Sequence, residues 1–107
     1  MQVEKVKNSF GGIIDGPLLL KPTILKDSRG YFFESWNTKI FKNLVNENID
    51  FVQDNHSQSV KGVVRGLHYQ LPPYPQGKLV RCVNGHVFDV AVDLRRNSKS
   101  FSETYKE

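Results

Sequence analysis

The chain has 107 residues, 38% of them apolar and 24% charged, and a formal net charge of +4. That length sets residues 1–107 as a single domain with one core, and the mixed composition excludes a disordered or fibrous polypeptide. Apolar runs such as Pro17-Leu18-Leu19-Leu20 are far too short for a membrane span, and the basic residues are scattered rather than massed, so the expected partner is an anionic small molecule, with no nucleic acid and no membrane.

Residues 1–36 read as short strands broken by two loops, one marked by Gly11-Gly12 and Asp15-Gly16-Pro17 and the second by Asp27-Ser28-Arg29-Gly30, followed by the aromatic, strand-like run Tyr31 to Trp36. Met1 to Lys5 lacks the apolar core of a signal peptide, which sets the expected location in the cytoplasm. One short surface helix is predicted over 38–48. There Ile40, Phe41, Leu44 and Val45 recur at helical spacing behind the polar starters Asn37 and Thr38. From Phe51 onward the pattern is β again, with turns at Lys61-Gly62, Pro72 to Pro75, Asn84-Gly85 and Arg96-Asn97-Ser98. Many short strands and one helix predict an all-β antiparallel sandwich or jelly-roll. Phe101 and Tyr105 begin an alternation with no evident return strand, which predicts a strand without a partner and a jelly-roll incomplete at its C-terminus.

Strand parity sorts the side chains between Gln53 and Arg95. Over 63–70, Val64, Gly66, His68 and Gln70 share one face and Arg65 lies on the other, unless a bulge at Gly66 resets the register. Lys78 shares a face with Gln76, Val80 and Cys82, and reaches the same cavity as His68 if the two strands pair across the Pro72 to Pro75 turn. A histidine titrates near neutrality and a fixed ammonium stabilises an oxyanion, so the pair suits proton abstraction beside a carbonyl. A lone strand histidine is more often structural; Lys78, costly to bury unless paired or functional, shifts the balance. Asp89 and Asp93 read as the solvated face of a strand opposite Phe88, Val90, Val92 and Leu94, and Cys82 as a small buried side chain. Gln53 and Asn55 share a face, with Asp54 on the other, suited to amide contacts with a sugar or base and equally to loop-end capping. Gly62, five residues and His68 match the opening of the metal-binding cupin motif, but Gln70 stands where its second histidine belongs, so no metal is expected.

Taken together, Asp27 to Glu34, Gln53-Asp54-Asn55-His56-Ser57, Arg65-Gly66-Leu67-His68-Tyr69-Gln70, Gln76 to Arg81 and Phe88 to Arg95 closely resemble the dTDP-4-dehydrorhamnose 3,5-epimerase family. The resemblance implies a cupin-type jelly-roll of which this chain carries the N-terminal portion. It implies an isomerase of dTDP-L-rhamnose synthesis that inverts C3 and C5 of a nucleotide-diphosphate 4-keto-6-deoxy sugar without any cofactor. It implies catalytic roles for His68 as base and Lys78 as enolate support, with nucleotide-sugar contacts at Arg29, Phe32, Glu34, Gln53, Asn55 and Arg65. The family's proton-donating tyrosine, the aspartate that orients its histidine and a further substrate histidine fall in a C-terminal part without counterpart here. Family members pair through their sheets, and the apolar face of Phe88, Val90, Val92 and Leu94 wants cover, so a homodimer is expected. The alternatives are a C3-only epimerase, a nucleotide-sugar-binding module without full activity, and a metal-dependent cupin oxygenase, against which Gln70 argues.

Overall fold

A computed structural model of the chain describes residues 1–106, which cluster into two units, one formed by residues 1–50 with 88–106 and the other by residues 51–87. In the first unit, β1 (Gln2–Lys7) and β2 (Ile13–Lys21) form an antiparallel hairpin. Its turn is organised by Asn8, whose Oδ1 accepts from the backbone N–H groups of Phe10 and Gly12 at 2.9 and 2.8 Å. An asparagine side chain here stands in for a backbone carbonyl, which is why a short loop can reverse the chain. The Lys21 ammonium meets Glu4 across the ladder at 2.8 Å.

The β1–β2 register breaks between Lys5 and Lys7: Lys5 pairs with Leu18 but Lys7 with Ile13, so two steps on β1 face five on β2. Pro17 has no N–H for the ladder and Gly16 takes φ +118°, so the sequence Asp15-Gly16-Pro17 forces the bulge there. Beside it the core is small. Among the described residues Val6, Ile14 and Phe41 are the buried apolar side chains.

A second hairpin joins β3 (Leu25–Asp27) to β4 (Gly30–Phe32), with Leu25 opposite Phe32, Lys26 opposite Tyr31 and Asp27 opposite Gly30. Helix α1 (Thr38–Val45) follows. Asn37 caps it by accepting from the Ile40 N–H, and Asn46 ends it in the left-handed region at φ 56°, donating its N–H to Lys42 O. Trp36, just outside the cap, packs on Phe41 with ring centroids 4.9 Å apart, a hydrophobic staple that fixes the entry of the chain into the helix. The helix ends at Val45, short of the expected 48, because Asn46 adopts the turn conformation that its neighbours Val45 and Glu47 take less readily.

β5 (Val90–Val92) pairs antiparallel with β6 (Thr104–Lys106), Ala91 opposite Tyr105. The C-terminal strand expected to lack a partner therefore has one: the turn through Arg96 to Ser102 returns the chain onto 90–92. The expected solvated position of Asp93 is also overturned, since it is 7% exposed and its carboxylate is the hub of a polar cluster. Oδ1 accepts from the Arg95 backbone N–H and Nε at 3.0 and 2.9 Å; Oδ2 accepts from Arg95 Nη2 at 2.9 Å and from Ser100 Oγ at 2.7 Å. Ser100 Oγ in turn accepts from the Asp15 N–H at 3.1 Å, and Arg95 Nη2 donates to the Asp15 carbonyl, so the cluster ties the β2 bulge to the turn after β5. Gly16 makes room for this, because a Cβ there would come within 3.3 Å of Arg95 Nη2. Arg95, foremost, and the Ser98 and Ser100 hydroxyls hold the Asp93 carboxyl far below the usual carboxylate range.

In the second unit, residues 51–87, the strands expected from the alternation do not form among the described residues. Its regular features are turns: Val63 N–H to Val60 O at 3.3 Å with Gly62 at φ +88°, and Tyr74 N–H to Leu71 O at 3.1 Å. An extended segment becomes a strand only when a neighbour takes up its backbone donors and acceptors, and no such ladder is present within 51–87. Alternation there states which faces such a strand would have. It does not supply the partner.

Candidate functional site

The expected ligand contacts of the first unit gather on the β3–β4 hairpin. Asp27 organises its turn: Oδ1 accepts from the Arg29 backbone N–H at 2.8 Å, and Oδ2 accepts from Arg29 Nε and Nη2 at 3.1 and 2.6 Å. The Arg29 side chain, followed by its backbone N–H, lowers the Asp27 carboxyl from its ordinary value. The guanidinium is thus held from one side while remaining exposed, the condition under which an arginine can meet a phosphate with its free N–H groups.

Two concavities flank this hairpin. One of about 440 Å³ is lined by Lys26, Arg29, Gly30, Tyr31 and Phe32 with Leu25 and Asp27; another of about 260 Å³ is lined by Met1, Thr23, Leu25, Phe32, Phe33 and Glu34. Phe32 borders both, with its ring largely exposed. The Leu25–Phe32 pair borders both concavities, whereas the next pair, Lys26 and Tyr31, borders only the larger one. Cations, an aromatic ring and the Glu34 carboxylate around one hairpin are suited to a ligand that joins an anionic group to a flat ring.

The remaining expected site residues lie in the second unit. Gln53 Nε2 donates to Asn55 Oδ1 at 3.1 Å, so the two amides do lie side by side. Arg65 donates through Nε to Ser59 Oγ at 2.9 Å and through Nη2 to Gln58 O at 3.4 Å. His68 and Lys78 are exposed and make no hydrogen bond or ion pair among the described residues. The shared strand face on which they were expected to converge is absent with the strands themselves. Gly66 takes φ +118°, which lies outside strand geometry. Cys82, expected to be buried, is exposed, with Sγ 3.3 Å from Asn84 O, because the strand that would have turned it inward is not formed. Among the described residues no group of three His, Cys, Asp or Glu side chains is placed to hold a metal ion.

Two features escaped the reading of the sequence. Asp93 and Arg95 stand two apart, a spacing that permits a same-side pair, but nothing local distinguishes that pair from a solvated strand edge. Asn37 reads as a helix starter, and nothing in that pattern signals its second bond, from Nδ2 to Glu34 Oε2 at 3.2 Å.

The antiparallel hairpins and single short helix define an all-β protein of the cupin-type jelly-roll class. The sequence model of the dTDP-4-dehydrorhamnose 3,5-epimerase family matches residues 12–107, and the chain belongs to that family. It is 59% identical over 86 residues to the dTDP-4-dehydrorhamnose 3,5-epimerase of Shigella flexneri, covering 80% of this chain and 48% of that one. With the enzyme of that name from Escherichia coli K12 the identity is 52% over 90 residues, covering 84% and 49%. The crystal structure of dTDP-4-dehydrorhamnose 3,5-epimerase from Elizabethkingia anophelis NUHP1 superimposes with a TM-score of 0.83 at 44% identity, covering all of this chain and 56% of that one. The chain thus spans about half the length of the curated relatives it matches.

Proposed function

We propose that residues 1–107 are the N-terminal portion of a single jelly-roll domain that binds a nucleotide-diphosphate 4-keto-6-deoxy sugar and epimerises it at C3 and C5, in dTDP-L-rhamnose synthesis. The observation that carries this reading is the family match over residues 12–107, which includes every residue assigned to the site. In the reaction the C4 ketone acidifies the hydrogens on C3 and C5. His68 removes each as general base, and the Lys78 ammonium stabilises the enolate oxygen. The nucleotide-sugar contacts fall on Arg29, Phe32 and Glu34 of the first unit and on Gln53, Asn55 and Arg65 of the second, the arginines suited to phosphate oxygens and the amides to neutral hydrogen bonds. Return of the proton to the opposite face inverts the carbon and needs an acid; the tyrosines of this chain do not match the context of the family's donor. Base-and-oxyanion chemistry at an acidified carbon requires no cofactor. The proposed setting is the cytoplasm. Among the described residues no helix is long and apolar enough to cross a membrane. The assembly is a homodimer, supported by the exposure of Phe88 and Leu94.

The test is hydrogen exchange in deuterium oxide with dTDP-4-dehydro-6-deoxy-glucose. Deuterium is expected at C3 and C5, and His68→Asn is expected to slow its entry roughly 10²- to 10⁴-fold with dTDP binding retained. Exchange at the wild-type rate in His68→Asn would remove His68 from its role. A second reading, a nucleotide-sugar-binding module, is favoured by the contrast between the hairpin concavities and the exposed, unpaired His68 and Lys78. It predicts dTDP binding with no exchange at either carbon.

A further inference from the structure

One amide side chain serves two elements. Asn37 Oδ1 accepts from the Ile40 N–H at 3.1 Å and caps α1, while Asn37 Nδ2 donates to Glu34 Oε2 at 3.2 Å. The orientation of the amide follows from its neighbours, since the flipped group would set its NH₂ against a helix N–H and its oxygen against a carboxylate. Glu34 lines the smaller concavity with Phe32 and Leu25, and its Oε1 takes no hydrogen bond among the described residues. A free glutamate samples several rotamers and loses them on binding; a glutamate held at one oxygen has already lost part of that freedom.

We propose that Asn37 is a positioning residue for nucleotide binding: its amide holds the Glu34 carboxylate at the edge of the Phe32 concavity, with Oε1 turned over to an N–H or O–H donor of the ligand. This rests on the reading of Glu34 as a ligand contact. Helix capping alone does not call for asparagine, because serine and aspartate cap about as well. What neither supplies is a donor of the right reach for Glu34, the serine hydroxyl being too short and the aspartate carboxylate carrying no proton and repelling a second carboxylate. Capping and positioning are therefore separable by substitution.

The experiment measures dTDP binding by titration calorimetry to the protein and to Asn37→Ser, Asn37→Asp, Glu34→Ala and the Asn37→Ser/Glu34→Ala double variant. Asn37→Ser is expected to weaken binding about 3- to 10-fold, the worth of one hydrogen bond, and Asn37→Asp by more, with helix content and unfolding midpoint unchanged. In the Glu34→Ala background Asn37→Ser should add nothing. A readout without ligand accompanies it: the Asn37 side-chain amide protons, slowed in exchange in the wild type, should lose that protection in Glu34→Ala while α1 persists. Wild-type affinity in both Asn37 variants alongside weakened Glu34→Ala would overturn the positioning role and leave the proposed function standing. Wild-type affinity in Glu34→Ala, or no dTDP binding by the wild type, would strike at the functional reading itself and take the proposal with it. If the Asn37 variants lose the helix, the amide protons decide: protection that survives Glu34→Ala overturns the proposal.

Discussion

Ser100→Ala removes one hydroxyl from a position only 2% exposed, and the structure states what that hydroxyl does. It accepts from the Asp15 N–H at 3.1 Å, donates to Asp93 Oδ2 at 2.7 Å and lies 3.1 Å from Ser98 Oγ. Alanine fits the space but leaves the Asp15 N–H without that acceptor and Asp93 with one donor fewer. An unsatisfied buried donor costs about 1–3 kcal/mol; because Asp15 itself is exposed and water can reach part of its backbone, the lower half of that range, about 1–2 kcal/mol, is expected. For a domain of this length that is a fall in melting temperature of roughly 5–12 °C. The assay is urea and thermal unfolding followed by circular dichroism, with hydrogen exchange read at the Asp15 amide. A change within about 0.5 kcal/mol together with unchanged Asp15 exchange would refute the role given to the cluster, since that is the range of an ordinary surface substitution.

Acid stability follows from the same cluster. The folded-state carboxyl of Asp93 is lowered from the ordinary 3.8, so its contribution is fully present above that value and is lost progressively as pH falls below it. Unfolding titrations of Asp93→Asn should show a flatter decline below about pH 4 than the wild type, and parallel curves would contradict the assignment. Gly30→Ala tests the β3–β4 turn: a Cβ there meets nothing within 4 Å, so the whole cost is the φ of +136°, about 1–2 kcal/mol, read as a lowered urea midpoint. Multi-angle light scattering should give twice the monomer mass, and a monomer at high concentration would set aside the homodimer.

Local signals were legible in the sequence because their causes lie within a few residues. Asn37 followed by apolar residues at helical spacing gave α1, and Asp27-Ser28-Arg29-Gly30 gave the turn that presents Arg29 beside Phe32, each dictated by a side chain that bonds its own backbone neighbours. Asp15-Gly16-Pro17, read with Gly11-Gly12 as one loop, lies instead inside β2, where it forms the bulge that shifts the register. The family motifs likewise depend on order along the chain and were complete as written. What needed tertiary structure was every feature whose partner is remote. Asp93 has the alternation of a solvated acid, and it is buried because Ser100 and Arg95 close over it against the β2 bulge, contacts spanning up to 85 positions. Phe101 to Lys106 looked unpartnered until the turn after Arg95 returned it to β5. Residues 63–70 and 76–82 carry strand parity yet form no strand within their unit, and His68 and Lys78 share no face there. Parity is a property of one segment, whereas a strand, and any site built on its face, is a property of two, and the hydrogen bonds that convert one into the other are supplied by backbone that the segment's own sequence does not contain.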